Sequence, residues 1–336
     1  MAQAHCIETD APDERDWRQA LRSAVRDVAE LASLLHLSPD ALGAFQPGRR
    51  EFPLLVPRSF IRRMRSGDPN DPLLRQVLPR LDERTPTPGF APDPLGESLL
   101  AHEGFIQKYP NRALLITTEA CPLHCRYCFR REFPYRAQNA SRENWRGALT
   151  RAETAAVGEI ILSGGDPLSL SNARLSELLR ALERMTSVER VRIHTRFPIV
   201  IPERVDDGLL RLLEGSKLQR VIVVHCNHPN EIDGGVRDAM RALRGTGNLL
   251  LNQSVLLRRI NDAVSTLADL SEALLRCDVL PYYLHLLDPI AGAAHFEVQE
   301  ARARALVEEL RERAPGYLVP RLVREIPGRP GKTLVA

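Results

Sequence analysis

No stretch of the chain approaches the roughly 18 to 20 consecutive apolar residues that a membrane span needs. The opening residues, MAQAHCIETDAPDERDW, lack the charged-then-apolar pattern of a secretory signal. Both absences predict a cytoplasmic protein with no membrane partner. Charge of one sign is also scarce. The 46 Lys and Arg against 43 Asp and Glu leave a net charge of +3, too small an excess to point to nucleic acid through bulk charge. Cysteine is sparse and unevenly placed, six in 336 residues. Cys121, Cys125 and Cys128 lie close together, whereas Cys6, Cys226 and Cys277 stand alone. A chain of this length buries a core without stapling, so a disulfide framework is not expected and thiolates serving a metal fit the spacing better.

What is present describes an ordinary globular protein, 43% apolar and 26% charged, with two domains at most. Residues 1–110 are rich in Arg, Asp and Pro, with helical periodicity from Trp17 to Leu37 and again from Phe60 to Met64. They are expected to form an N-terminal helical cap, broken by Asp-Pro dipeptides. From Ala113 onward, short apolar runs alternate with amphipathic stretches, the signature of parallel βαβ units. The expected strands are Ala113–Thr117, Glu159–Ser163, Arg190–Thr195, Arg220–His225, Leu249–Leu257 and Val279–Leu287. Their starts recur at about 30 residues, the length of one unit of a TIM-like barrel of about eight units. Six such units predict an α/β fold with an incomplete (β/α)6 barrel as its core, over 111–315, followed by a C-terminal segment, 316–336. A doubly wound open sheet gives the same alternation, and in either fold ligands sit at the carboxyl ends of the strands.

The three clustered cysteines, Cys121-Pro-Leu-His-Cys125-Arg-Tyr-Cys128, follow the first expected strand at once. Three thiolates would occupy three irons of a cubane, leaving the fourth iron free to chelate the amino and carboxylate groups of a small molecule. The alternative is zinc, which usually takes paired cysteines from two segments, and no second pair exists here. Ser163-Gly164-Gly165-Asp166 ends the second expected strand, where absent side chains permit close approach of a ligand, or simply a turn before the helix near Ser171.

The CxxxCxxC spacing resembles the signature of the radical S-adenosylmethionine superfamily. That resemblance implies a [4Fe-4S] cluster on Cys121, Cys125 and Cys128, reductive cleavage of S-adenosylmethionine to a 5′-deoxyadenosyl radical, and contact of the Ser163–Asp166 stretch with the methionine amino group. Over residues 90–332 the likeness narrows to the lysine 2,3-aminomutase family. Five stretches carry it: Lys108-Tyr-Pro-Asn-Arg112, Cys128-Phe-Arg130-Arg131, His225-Cys-Asn-His228-Pro-Asn-Glu231, Asn252-Gln253-Ser254 with the three residues after it, and Pro327-Gly-Arg-Pro-Gly-Lys332.

The family also uses pyridoxal 5′-phosphate. The resemblance implies Lys332 as the amine of the internal aldimine, although Arg329 and Pro330 interrupt the family's glycine run. It implies Arg112, and less strongly Lys108, as cofactor neighbours, and His225 and Gln253 as contacts of S-adenosylmethionine. Arg130 becomes a fork for the substrate α-carboxylate, while Asp288 and Glu325 become the carboxylates that receive an ε-ammonium. Glu325 stands where the family has Asp. Arg131 is expected to be solvated, and Cys226 and His228 structural. The implied reaction converts L-lysine to (R)-β-lysine, with a flavodoxin- or ferredoxin-type electron donor. The short length resembles the bacterial branch whose product passes to an elongation factor P ligase. A mutase for another amino acid, a catabolic lysine enzyme, and a non-catalytic iron-sulfur protein are the alternatives.

Overall fold

The structure is a computed structural model and describes residues 13–38, 40–48, 51–138, 145–329 and 331–336. The apolar runs pair into one nine-stranded sheet. In chain order its strands are β1 (Phe105–Tyr109), β2 (Arg112–Thr118), β3 (Glu159–Gly164), β4 (Arg190–Thr195), β5 (Gln219–His225), β6 (Leu249–Val255), β7 (Leu280–His285), β8 (Arg321–Arg324) and β9 (Thr333–Leu334). They lie side by side in that same order. Strands β2 to β8 run parallel, while β1 and β9 pair antiparallel at the two edges.

Between successive parallel strands lie the helices Arg146–Ala155, Asn172–Glu183, Asp207–Glu214, Gly234–Gly245, Val264–Leu275 and Glu300–Arg313. Polar side chains start several of them: Ser171, Asp206 and Asp233 each accept a hydrogen bond from a backbone N–H of the first turn. A doubly wound sheet must reverse its strand order at a switch point, and this one never does. The architecture is therefore the partial barrel: six β/α units and then a seventh parallel strand.

Three strands go beyond the expected six. The sequence of β1, FIQKY, places Gln and Lys in a five-residue strand; β8 is four residues flanked by arginines, and β9 is two. None carries an apolar period long enough to stand out. The helical region from Trp17 to Leu37 is likewise two helices, Asp13–Arg22 and Val28–Leu34, parted where Val25 bridges to Val56.

Strand alternation sorts the side chains. Val191, Ile193, Ile222, Val224 and Leu250 face the helices and join Leu178, Leu209, Val236 and Leu243 in the main core. Trp17, Leu31, Phe60 and Leu73 of the N-terminal segment enter that same core, and the Trp17 ring meets Phe197 edge-on at 5.6 Å. The opposite face of the sheet, the barrel interior, is where polar side chains are admitted.

Candidate active site

Strand β2 ends at Thr118 and delivers the chain directly into the cysteine loop. Cys121, Cys125 and Cys128 are half-buried free thiols on this one loop. Burial pushes the Cys121 thiol up and that of Cys128 to about 11. Bound iron reverses that balance, since a coordinating thiol is deprotonated. The Arg196 Nη1 donor lies 2.6 Å from Cys125 Sγ. The same guanidinium donates to Gln76 and Glu231, at 2.9 and 3.1 Å, so a buried cation is locked beside the sulfur. Three sulfurs on one loop with a cation behind them fit an iron-sulfur cluster.

Gly164, the last residue of β3, and Gly165 after it are explained by the chain itself. A Cβ on Gly165 would lie 2.3 Å from the Ala120 carbonyl oxygen, because β3 packs against the segment entering the cysteine loop. Gly165 N and Asp166 N donate to Thr118 O and Ala120 O, each at 2.7 Å. Burial pushes the Asp166 carboxyl up to about 6, against donors that favour its anion. These are Thr195 Oγ1, Arg196 N, Phe197 N and Leu168 N, between 2.6 and 3.1 Å. Asp166 thus ties β3 to the end of β4.

His225, Gln253 and Tyr283 occupy paired positions on β5, β6 and β7, so the three side chains form one row on a single face. His194 stands 5.7 Å from His225, ring to ring, and His285 stands 5.7 Å from Tyr283. Burial pushes all three histidines down, His225 to about 4, which leaves neutral imidazoles. His194 Nε2, His285 Nε2 and Gln253 Nε2 are buried without a hydrogen-bond partner. An unmet buried donor or acceptor costs about 1–3 kcal/mol. Such atoms clustered on one interior face suit polar ligands of the size of S-adenosylmethionine and pyridoxal phosphate.

At the open side of the barrel the charges alternate. Arg130 pairs with Glu97 at 2.6 Å, and Lys108 reaches Glu97 at 2.8 Å and Glu325 at 3.6 Å. Lys332 Nζ stands 3.1 Å from Glu325 Oε2, and Tyr109 Oη donates to the other oxygen of the same carboxylate. Burial opposes ionisation of Glu97, yet Arg130 and Lys108 hold its carboxyl at about 2. Asp288, beyond β7, behaves differently. Burial pushes it up to about 7, with Glu325 adding to the rise and Lys332 opposing it.

Lys332 is presented by a tight turn. Ile326 O accepts from Arg329 N at 3.2 Å with Pro327 and Gly328 between them, and Gly328 has φ +77. Pro followed by a left-handed Gly makes a type II turn. Pro330 lies outside the described residues. Arg112 starts β2 with its guanidinium 4.2 Å above the Tyr109 ring, one residue removed from Glu325. Arg130 Nη1 also donates to Ser163 Oγ at 3.0 Å.

The solvated reading of Arg131 needs correction. Its side chain is buried and pairs with Glu83 at 2.9 Å, a carboxylate it shares with Arg126. A guanidinium beside a buried carboxylate supplied by a distant turn cannot be told from a surface arginine in sequence. Cys226 is buried, and His228 Nδ1 accepts from Asn230 N at 3.1 Å, both structural settings. Sequence reasoning missed Glu97, Tyr109, Arg196, His194 and His285. Only the histidines left a trace, as polar residues on the inward alternation of β4 and β7.

Residues 115–252 match the family model of the Radical SAM superfamily. Over 332 residues the chain is 47% identical to the L-lysine 2,3-aminomutase of Escherichia coli strain K12, covering 98% of this chain and 97% of that protein. It is 42% identical to the L-lysine 2,3-aminomutase of Haemophilus influenzae, covering 96% of each. With the L-lysine 2,3-aminomutase of Clostridium subterminale identity is 33%, over 96% of this chain and 78% of that one. Among the described residues no helix is long and apolar enough to cross a membrane. Taken with the cysteine loop and the partial barrel, these likenesses show that the chain belongs to the lysine 2,3-aminomutase family, radical S-adenosylmethionine isomerases whose cofactor set is a [4Fe-4S] cluster, S-adenosylmethionine and pyridoxal phosphate.

Proposed function

We propose that the protein converts L-α-lysine to (R)-β-lysine. The observation that carries this reading is the run of charges Arg130, Glu97, Lys108, Glu325 and Lys332 along one side of the barrel. It sets a carboxylate-binding fork and an acidic end within one site, which complement the α-carboxylate and the ε-ammonium of lysine. Cys121, Cys125 and Cys128 would hold the cluster, and His225, Gln253 and the Ser163–Asp166 turn would border S-adenosylmethionine. Lys332 would hold pyridoxal phosphate, with Arg112 and Lys108 as its cationic neighbours. When bound, the reduced cluster and S-adenosylmethionine supply a carbon radical, and pyridoxal phosphate supplies a π-system through which nitrogen can shift to the neighbouring carbon.

The protein's own residues bind and orient. Arg130 takes the α-carboxylate, since a guanidinium fork matches a carboxylate in plane and charge. Glu325 and Asp288 take the ε-ammonium, because a cation leaving water needs paired charge. Glu325 holds Lys332 while the site is empty, and the incoming ammonium replaces that partner. Neutral His194, His225 and His285 place no competing cation in the interior. An acidic distal end disfavours glutamate as substrate.

The 47% identity with the Escherichia coli relative, against 33% with the clostridial one, supports the bacterial branch that serves elongation factor P. A flavodoxin- or ferredoxin-type donor would reduce the cluster. The test is anaerobic reconstitution with iron, sulfide, pyridoxal phosphate, S-adenosylmethionine and dithionite, followed by chiral analysis of product from L-lysine. (R)-β-Lysine is expected. Deoxyadenosine without β-lysine would overturn the substrate, and the absence of both from cluster-loaded protein would overturn the reaction.

A further inference from the structure

Arg130 has five N–H donors, one on Nε and two on each Nη. Nε and Nη2 donate to Glu97 at 2.6 and 3.2 Å, and Nη1 donates to Ser163 Oγ at 3.0 Å. One N–H therefore remains on each of Nη1 and Nη2. Those two atoms make the end-on edge of the guanidinium, the edge that grips a carboxylate bidentately. The side-on edge is already taken by Glu97.

Glu97 is poorly placed to be a surface charge. It is 4% exposed and Arg130 is 7% exposed, while Leu99 on the same short turn is 83% exposed. The turn is fixed from its start. Gly96 adopts φ +64, and Asp93 accepts from Glu97 N and Ser98 N, each at 3.0 Å. The turn, held by Gly96 and the Asp93 carboxylate, thus aims Glu97 inward. Lys108 on β1 meets the same carboxylate at 2.8 Å. Glu97 thus lies between two cations, Arg130 and Lys108, and Lys108 is shared with Glu325 at 3.6 Å, so Arg130 has Glu97 as its one carboxylate partner among the described residues.

We propose that Glu97 is the positioning residue for substrate recognition, holding Arg130 by its side-on edge so that the end-on edge faces the α-carboxylate of the amino acid. The inference rests on the reading of Arg130 as the carboxylate fork. An arginine gives up rotamer freedom when its side chain is fixed. With Glu97 in place that cost falls on folding rather than on binding, and the buried guanidinium is never left unpaired. The N-terminal segment, outside the region that matches the superfamily model, thereby contributes to substrate affinity.

The test compares Glu97→Gln and Glu97→Ala in cofactor-loaded protein. Calorimetry without reductant gives the affinity for L-lysine and for 1,5-diaminopentane, which has both amines and no carboxylate; turnover gives KM and kcat. Expected are a weakening of lysine about tenfold or more in Glu97→Ala and less in Glu97→Gln, kcat within about threefold, and diamine affinity unchanged. A merely structural role would weaken both ligands alike. Unchanged or tightened lysine binding would overturn the proposal, the latter making Glu97 a competitor for Arg130; so would equal weakening of the diamine. Glu97→Gln preserves size and one acceptor, so it keeps the test open if Glu97→Ala does not fold. Arg130→Gln separates the two layers. Lysine affinity unchanged in Arg130→Gln overturns the reading of Arg130 itself, whereas a loss there without one in Glu97→Ala overturns only the positioning role.

Discussion

Tyr109 and Glu325 lie 216 positions apart in the chain, yet the tyrosine hydroxyl donates to the glutamate carboxylate. The contact joins the edge strand β1 to the segment between β8 and β9, the two sides of a barrel whose strands do not close. Burial and that hydrogen bond push the Tyr109 hydroxyl up, while Lys332 and Lys108 hold Glu325 down against its burial. The open side of the sheet is thus stitched by polar side chains around an amine.

Replacing that amine separates the cofactors. Lys332→Ala is expected to keep its iron and sulfide while losing the visible absorbance that pyridoxal phosphate acquires on a protein amine. Its turnover should fall by at least about 1,000-fold, and its thermal midpoint should barely move, because a partly exposed ion pair contributes about 1 kcal/mol or less. Iron analysis, absorbance and product assay on one preparation decide this. Retention of the absorbance would remove Lys332 from its role.

Glu325 is proposed above as a carboxylate partner of the substrate ε-ammonium. Glu325→Gln should raise the lysine KM by about tenfold to a hundredfold, which is about 1.4–2.8 kcal/mol, through loss of one charged partner for the ε-ammonium. Norleucine, which has a hydrogen in place of that ammonium, should inhibit wild type and variant equally. A lower norleucine inhibition constant in wild type would place the effect elsewhere.

Asp288 gives a pH dependence with a defined sign. Its carboxyl sits at about 7 because burial opposes the anion, with Glu325 and Glu97 adding to this and Lys332 and Lys108 opposing it. An arriving ammonium favours the anion, so lysine binding should release a proton below about pH 7, and the lysine KM should fall as pH rises toward 8. Stability runs the other way. The unfolded Asp ionises near 3.9, so between about pH 4 and 7 the folded state holds more protons, and stability falls as pH rises through that window. Asp288→Asn should remove that slope in a urea series while raising KM. A slope unchanged by the substitution would assign it to another group.

Gly165→Ala would drive a methyl group to 2.3 Å from the Ala120 carbonyl oxygen. Overpacking of this kind costs about 1–3 kcal/mol. The strain falls on the segment entering the cysteine loop, so iron loading should drop together with the thermal midpoint. Normal iron content at a lowered midpoint would mean that the loop yields elsewhere.

The parallel strands and the cysteine loop were legible because both are local. Inward and outward alternation marks a strand, and three cysteines inside one loop need no other segment to make sense. Lys332 was singled out through the family resemblance of its Pro-Gly-Arg-Pro-Gly setting, and only the turn of Pro327 and Gly328 that presents it follows from the residues themselves. Glu97 was not. It is a single acid in a polar turn, and only folding brings it to Arg130, 33 positions away. The Gly164-Gly165 pair was legible as a demand for space but not for its occupant, since the sequence does not say that the neighbouring backbone fills it.

The meeting of Lys108 and Lys332 on Glu325 bears on chemical selectivity. The chain has only three lysines, at 108, 217 and 332, among its 46 cationic Lys and Arg side chains. An aldehyde condenses with a lysine amine, whereas a guanidinium stays protonated and serves as a charge. Two of the three side-chain amines able to capture a carbonyl therefore flank one carboxylate, and nearly every other cation of the surface is chemically silent toward it. Borohydride trapping followed by peptide mapping would have very few places to look.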